Sequence, residues 1–247
     1  MSDTFSADAR MAVIIPSYNH GTRIADVVDR ARTLGYPVFV VDDGSSDTTA
    51  QVLESLSDIH LLRHPANQGK GAALISGMRA AAGVADYAIT LDADGQHNPD
   101  DARQLVAALN RYRGAIVIGR REMDDAPWTS RKGRAFSNFW VWLAGCVRLV
   151  DSQSGFRIYP LSETLALGVV ARRYQFEVEV LVRAAWQGIP IVEVPISAAY
   201  GSELPRISHF RPFVDFMRNS GTFSRLIIRR VFTPALWLPG SGDHQSH

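Results

Sequence analysis

The residues best suited to chemistry are two aspartates one position apart, in Leu91-Asp92-Ala93-Asp94-Gly95-Gln96-His97. Paired carboxylates with an amide two residues on are hard oxygen ligands of the kind that hold Mg²⁺ or Mn²⁺. Such a cation keeps few protein ligands when phosphate oxygens complete its shell, so the guest that fits is a metal-bound diphosphate. The plainer alternative is an acidic strand-to-helix turn in which Asp100 or a neighbour merely caps the next helix. A short apolar run, Tyr87 to Leu91, leads into the aspartates. A run that stops abruptly in carboxylates reads as a buried strand whose end opens into a cleft.

The same pattern recurs along the chain. Met11 to Pro16 is an apolar run followed by Ser17-Tyr18-Asn19-His20-Gly21, and Val38 to Val41 runs into Asp42-Asp43-Gly44-Ser45-Ser46-Asp47. Between them Ile24, Val27, Val28, Ala31 and Leu34 keep helical spacing, and Gly35 ends the helix. Ile59 to Leu62 precedes the loop Asn67-Gln68-Gly69-Lys70-Gly71 and an alanine-rich helix to Ala82. A helix from Pro99 to Arg111 and a strand from Ala115 to Ile118, ending in Gly119-Arg120-Arg121, complete the alternation. Strands alternating with helices from 11 to 120 imply an α/β domain, a mostly parallel sheet with helices on both faces. Ligands of such sheets sit at the carboxyl ends of the strands. Three of those ends carry Ser17-Tyr18-Asn19, Asp42-Asp43 and Asp92-x-Asp94, so polar groups from separate segments converge on one cleft.

Beyond residue 120 the periodicity loosens. Glu122 to Gly133, with Asp124, Asp125, Pro127 and Trp128, reads as a mobile loop over the cleft. Phe136, Phe139, Trp140, Leu143 and Val147 keep helical spacing and form a core stripe or the wall of an acceptor groove. Asp151-Ser-Gln-Ser-Gly155-Phe-Arg157 leads to a short strand, Ile158-Tyr159. Phe176 to Trp186 reads as a helix carrying Glu177 and Glu179, and Ile189 to Ile196, with two prolines, as an edge strand. From Pro205 to Phe232 six arginines face one acid, Asp215, among many apolar residues. A basic helix with a wide apolar face suits the surface of an anionic membrane; the alternative is a helix docked on the body with its arginines in water. The chain thus divides into a polar tail (1–10), a catalytic domain (11–200), a basic amphipathic segment (201–238) and a polar end (239–247).

Composition narrows the classes. The 247 residues, 46% of them apolar, suit one domain with a sizeable core. Lys plus Arg minus Asp plus Glu is 26 − 25 = +1, which carries no nucleic-acid signature. The single cysteine, Cys146, excludes an internal disulfide and fits a reducing, cytoplasmic compartment. The polar N-terminus does not read as a signal peptide, and no stretch reaches the roughly 18 apolar residues of a membrane span. No Gly-x-Gly-x-x-Gly follows a strand, and Gly69-Lys70-Gly71 lacks the hydroxyl and upstream glycine of a Walker loop. Lys70 could still approach a nucleotide from its glycine-flanked loop.

The series Val13-Ile-Ile-Pro-Ser-Tyr-Asn19, Val41-Asp-Asp-Gly-Ser-Ser-Asp47, Asn67-x-Gly-Lys-Gly71 and Leu91 to His97 resembles family 2 glycosyltransferases of GT-A fold. Asp151-x-x-Ser154-Gly-Phe-Arg157 and Tyr174-x-Phe-Glu-Val-Glu179 are similar to the dolichyl- and polyprenyl-phosphate sugar synthases and related bacterial lipid glycosyltransferases. The resemblance spans residues 11 to 200 and implies an inverting, metal-dependent transfer from a UDP- or GDP-linked sugar to a lipid-type acceptor, at the inner face of a membrane. It gives Pro16, Tyr18 and Asn19, with Asp42 or Asp43, to the nucleoside. Asp92, Ala93, Asp94 and Gln96 go to the metal and diphosphate, with Asp92, Asp94 and Gln96 as metal ligands. Arg120 would neutralise phosphate charge, and Arg131 or Arg134 would do so for a phosphorylated acceptor. An anionic phosphate acceptor needs no general base, whereas a hydroxyl needs a carboxylate; Asp151, Glu177 and Glu179 are the candidates, with Asp151 or Glu177 preferred. Asp151 could instead orient Arg157. His20 stands where the family usually has glutamate. Other readings are a non-catalytic docking module and a sugar nucleotidyltransferase; the intact Asp-x-Asp-x-Gln argues against the first, and the lack of an N-terminal glycine-rich loop with arginine against the second.

Overall fold

The computed structural model describes residues 9–121, 128–145, 147–197 and 212–232, with the side chains at 128–133, 212–220 and 231 left aside. Seven strands form one sheet: β1 (Met11–Ser17), β2 (Val38–Asp42), β3 (His60–Arg63), β4 (Tyr87–Thr90), β5 (Ile116–Arg121), β6 (Arg157–Pro160) and β7 (Ile191–Ile196). Their order is β3-β2-β1-β4-β6-β5-β7. Every neighbouring pair is parallel except the two that β6 makes, antiparallel to β4 and to β5. The expected mostly parallel sheet is present, and β7 lies at its edge, which suits Pro195 within it and Pro190 just before it.

The helices are α1 (Ile24–Arg32), α2 (Thr49–Ser55), α3 (Lys70–Ala81), α4 (Ala102–Arg111), α5 (Trp128–Gly145), α6 (Leu161–Ala166), α7 (Phe176–Trp186) and α8 (Pro212–Phe232). Strand alternation divides the core in two. In β1, Ala12 and Ile14 join the apolar cluster of α3, α5, α7 and α8, while Met11, Val13 and Ile15 join that of α1, α2 and α4. Neither cluster is served by one helix alone, so both sheet faces are covered, which a sheet of buried parallel strands needs.

Pro16 sits inside central strand β1, where a missing N–H would ordinarily break the ladder. Val13 N–H donates to Pro37 O and Ser17 O accepts from Asp43 N–H, so odd-numbered residues bond toward β2. Even-numbered ones bond toward β4, whose last contact here is Leu91 N–H to Ile14 O. Pro16 therefore faces a place where β4 has ended and no donor is required.

Three segments differ from the sequence reading. Residues 128–133 belong to α5 rather than to a loop, while 122–127 lie outside the described residues. Helices α2 and α6 were not anticipated; each is short and buries only two residues. The basic helix α8 is docked, with Phe223 and Leu226 buried and Phe223 stacked on Trp140 of α5 at 5.7 Å. Its opposite side leaves Ile228 and Phe232 exposed.

Helix α3 carries Lys70 at its first turn and is seated on the sheet by Leu74, Met78 and Ala81. Met78→Ala, at a fully buried position, is expected to cost about 2–5 kcal/mol through lost apolar burial and a residual cavity, measured by urea unfolding.

Candidate active site

The chain moves from β1 outward through β2 to β3, then returns to the far side of β1 with β4. At such a switch point the two strand ends diverge and leave a crevice, the usual ligand site of α/β sheets. The segments after β1, β2 and β4 all end there.

After β1, Pro16 is buried and Tyr18 half-buried. Asn19 adopts a positive φ of 56°, a conformation that asparagine tolerates better than most residues. Its N–H donates to Ser45 Oγ at 3.0 Å and its Oδ1 accepts from Ser46 N–H at 2.8 Å, so it ties the loop after β1 to the loop after β2. The two aspartates after β2 part company. Asp42 accepts from Ser45 N–H at 3.0 Å and lies 3.3 Å from Arg63 Nε. Asp43 accepts from Gln68 N–H at 2.9 Å and Gly69 N–H at 2.7 Å, and meets His64 Nδ1 at 2.7 Å. Asp43 thereby seats the loop that delivers Lys70.

The centre of the site is an ion bridge. Lys70 Nζ lies 2.6 Å from Asp92 Oδ1 and 2.5 Å from Glu177 Oε1. Burial opposes the ammonium, yet the two carboxylates outweigh it and raise Lys70 above its ordinary range. Burial likewise opposes the Asp92 anion, but Lys70, His97 and Arg121 hold it at about 2. Gly155 closes the bridge from above: a Cβ there would stand 2.5 and 2.7 Å from the Asp92 oxygens and 2.8 Å from Lys70 Nζ. Only glycine fits so close an approach.

His97, which the sequence reading passed over, accepts Asp92 N–H at Nδ1 (3.2 Å) and stacks on Phe156 at 5.2 Å. Burial lowers its pKa, with Asp92 and Asp94 acting the other way. A ring accepting at Nδ1 carries its proton on Nε2, which faces Asp92 Oδ2 at 3.9 Å. Its spacing from the aspartates was the available signal. Arg23, also unanticipated, donates to the Asp94 carbonyl at 2.8 Å.

Asp94 is half-buried, and its Oδ1 accepts Gln96 N–H at 3.0 Å. Gly95 makes the turn between them with φ 74°, and Ala93 points into the apolar core. Among the described residues no group of three or more His, Cys, Asp or Glu converges to form a closed metal cage. Asp94, the partly exposed Asp92 and the Gln96 amide fit the alternative: a hard cation held by few protein oxygens that takes its other ligands from phosphate.

Asp151 is fully buried. Arg121 donates to it from Nε at 2.7 Å and Nη2 at 2.9 Å, and Arg134 Nε stands 3.3 Å away. Burial raises its carboxyl, but the two guanidiniums win and hold it below the ordinary value. Arg157 is not its partner. That guanidinium, also fully buried, donates to the carbonyls of Ser152, Ser154 and Glu177 and to the Tyr159 hydroxyl. Alternation along β5, where Ile116 and Ile118 face one core and Val117 the other, sends Arg120 and Arg121 to opposite faces. Arg121 is the one beside Asp151 and Asp92. Arg131 lies on α5, its side chain outside the described residues. Glu177 joins the central bridge, whereas Glu179 bonds Arg183 and Arg225.

The glycosyl transferase family 2 model matches residues 12–161, more than half of the chain. The chain belongs to that family. Its structure has the GT-A architecture, and the protein is a glycosyltransferase. It is 32% identical over 219 residues to the UDP-N-acetylglucosamine–dolichyl-phosphate N-acetylglucosaminyltransferase of Methanococcus voltae, covering 78% of this chain and 87% of the relative. To the polyprenol monophosphomannose synthase of Mycolicibacterium smegmatis it is 30% identical, covering 76% and 77%. Among solved structures, glucosyl-3-phosphoglycerate synthase from Mycobacterium tuberculosis, in complex with Mn²⁺, uridine diphosphate and phosphoglyceric acid, superposes with TM-score 0.65. That match covers 96% of this chain and 81% of the other at 21% identity, a likeness of fold.

In this glycosyltransferase Asp151→Asn removes the buried anion that the Arg121 and Arg134 guanidiniums approach. The substitution is expected to cost about 3–5 kcal/mol at pH 7. A carboxyl held below its ordinary value stabilises the fold above about pH 4, and that stability is lost as pH falls through the lowered native value. The gap between wild type and variant should therefore narrow below pH 4, as read from urea unfolding at pH 7, 5 and 3.

Proposed function

We propose that this glycosyltransferase moves a sugar from a nucleotide-sugar donor to a lipid phosphate, with inversion at the anomeric carbon and with a divalent cation held by Asp92, Asp94 and Gln96. The observation that carries this reading is the asymmetry of the two aspartates. Asp92 is held by Lys70, which it shares with Glu177, while Asp94 keeps one carboxylate oxygen with no protein partner among the described residues. Because Lys70 is shared with Glu177, the three carboxylates Asp92, Asp94 and Glu177 outweigh its single positive charge, and a set of oxygens faces the cleft. Mg²⁺ or Mn²⁺ bound there would stabilise charge on the departing diphosphate.

The nucleoside lies against Pro16, Tyr18 and Asn19, with Asp42 or Asp43 beside it; Asp43 also holds the 64–69 loop and Asp42 also meets Ser45 and Arg63. Lys70 acts mainly by fixing Asp92, since both its near contacts are protein carboxylates. Arg120, Arg131 and Arg134 are the proposed sources of positive charge for the phosphates, and Arg121, beside Asp92, adds to it. Asp151 and Glu177, the preferred candidates for a general base, are both engaged by cations. A nucleophile that is already anionic suits such a site, and a phosphate oxygen is one. The names of the relatives, which specify dolichyl phosphate in one case and polyprenol in the other, support the same acceptor class. Mn²⁺ and uridine diphosphate in the glucosyl-3-phosphoglycerate synthase complex support the donor side.

A lipid acceptor requires a membrane surface. No helix among the described residues is long and apolar enough to cross a membrane. The outer sides of α5 and α8 instead expose Phe139, Trp142, Leu143, Ile228 and Phe232, and Arg148 lies over the Trp142 ring at 5.9 Å. Aromatic and aliphatic side chains with nearby arginines suit peripheral binding to anionic headgroups.

Thermal stabilisation by UDP, GDP and their sugar conjugates, each with and without Mn²⁺, tests the donor site. At least one nucleotide is expected to raise the melting temperature in a Mn²⁺-dependent way, and Asp94→Asn should abolish that dependence. No stabilisation of the wild type at any metal concentration would overturn the reading. For the surface, co-sedimentation with anionic vesicles should exceed that with neutral vesicles and fall when Trp142 and Phe232 are both changed to Asp. Equal binding by that double variant would exclude this face.

A further inference from the structure

Glu179 is a fully buried carboxylate that serves neither as metal ligand nor as partner of Lys70. Four donors from three parts of the chain converge on it. Arg183 Nε approaches to 2.7 Å, Arg225 Nη2 to 2.6 Å, Val170 N–H to 3.3 Å and Ala171 N–H to 3.0 Å. Residues two apart on a helix do not share a face. Glu177 therefore points from α7 into the active site while Glu179 points away, toward the segment between α6 and α7 and toward α8.

That segment is the wall behind the Lys70 turn. Arg172, next to the two bonded amides, accepts Ala72 N–H at 2.8 Å through its carbonyl. Ala72 is in the first turn of α3, where amides lack partners within their own helix. Arg173 Nη1 reaches Asn67 Oδ1 at 3.3 Å, and a Cβ on Gly69 would lie 2.6 Å from the Arg172 carbonyl oxygen. The turn from Asn67 to Ala72 is thus held between Asp43 on one side and the 171–173 backbone on the other.

We propose that Glu179 is a positioning residue for the active site, and that Arg225 of α8 makes the C-terminal helix part of that positioning. Glu179 braces both ends of the Lys70 bridge: α7 presents Glu177, and the 170–173 backbone holds the turn that presents Lys70 to Asp92. Arg225 completes the charge on Glu179 only when α8 is docked, since it lies between Phe223 and Leu226, the residues that bury the helix against the body. Removing its guanidinium leaves a buried carboxylate with one cation fewer, and the two backbone amides lose part of their anchor.

The catalytic importance of the Lys70 turn rests on the function proposed above; the coupling itself does not. The test is native-state hydrogen exchange on the full chain as wild type, Arg225→Ala and Arg225→Lys, together with direct titration of Mn²⁺ in the presence of UDP and, separately, GDP. Arg225→Ala is expected to speed exchange of the Val170, Ala171, Ala72 and Ala73 amides about tenfold. The Leu105 and Leu109 amides of α4 should be unmoved, and Arg225→Lys should restore most of the protection. Mn²⁺ affinity should weaken in step with exchange at Ala72. Faster exchange confined to α8, or a uniform rise across the sheet, would overturn the proposal. Wild type that takes up no Mn²⁺ with either nucleotide would instead count against the proposed function, and the exchange pattern would still decide the coupling.

Discussion

The bridge from Lys70 to Asp92 and Glu177 is the contact on which the site depends. Three elements distant in sequence meet there: the start of α3, the end of β4 and the start of α7. Two carboxylates brought together without the ammonium would repel, and one would be driven toward its neutral form. With the ammonium in place Asp92 stays anionic and its orientation is set. A partly buried cation between two anions is also costly to expose singly, so the three elements are held as a unit. The surrounding structure reads as the means of delivering that lysine: Asp43 holds the loop before it, Gly155 permits the approach, and the Arg172 carbonyl takes an amide of its helix.

The antiparallel strand β6 explains how such a bridge arises in a sheet of otherwise parallel strands. It enters between β4 and β5, so the segment before it runs over the carboxyl end of β4. That direction brings Gly155 onto the Asp92 carboxylate, and Thr90 Oγ1 donates to the Gly155 carbonyl at 2.6 Å. Arg157 then fastens the same segment from below through the carbonyls of Ser152 and Ser154. A guanidinium that holds carbonyls needs no carboxylate partner, and Asp151 is left for Arg121 and Arg134.

What was legible in the sequence follows from what local pattern can encode. Apolar runs ending in acid located β1, β2 and β4 and the cleft beyond them, because burial of a parallel strand and the polarity of its end are both written in consecutive residues. Helix α2 was missed because only Thr49 and Leu53 of it are buried, too few to set up a period. The first turns of α5 read as a loop for the same reason: polar residues there outnumber apolar ones. Pairings across the chain were the least legible. Nothing in Asp151-x-x-Ser154-Gly-Phe-Arg157 says that the aspartate turns to Arg121, thirty residues back, while the arginine turns to carbonyls. Telling that Arg121 rather than Arg120 stands beside Asp92 and Asp151 requires the register of β5, which a two-residue period across Ile116, Val117 and Ile118 contains only once the faces are known.

On the function proposed above, one helix of the tail serves two environments. Its composition suggested an apolar face for lipid and arginines for headgroups, with docking on the body as the alternative. The helix has both kinds of face. Phe223 and Leu226 are buried against α5 and α7, Arg225 reaches the buried Glu179, and Ile228 and Phe232 look outward. A helix that only floated on a membrane would have no use for an arginine matched to a buried carboxylate, since desolvating that anion is costly unless a cation is reliably present. Arg225 places α8, the element proposed to meet the membrane, within one ion pair of the α7 helix that carries Glu177, and so within reach of the bridge on which the site is built.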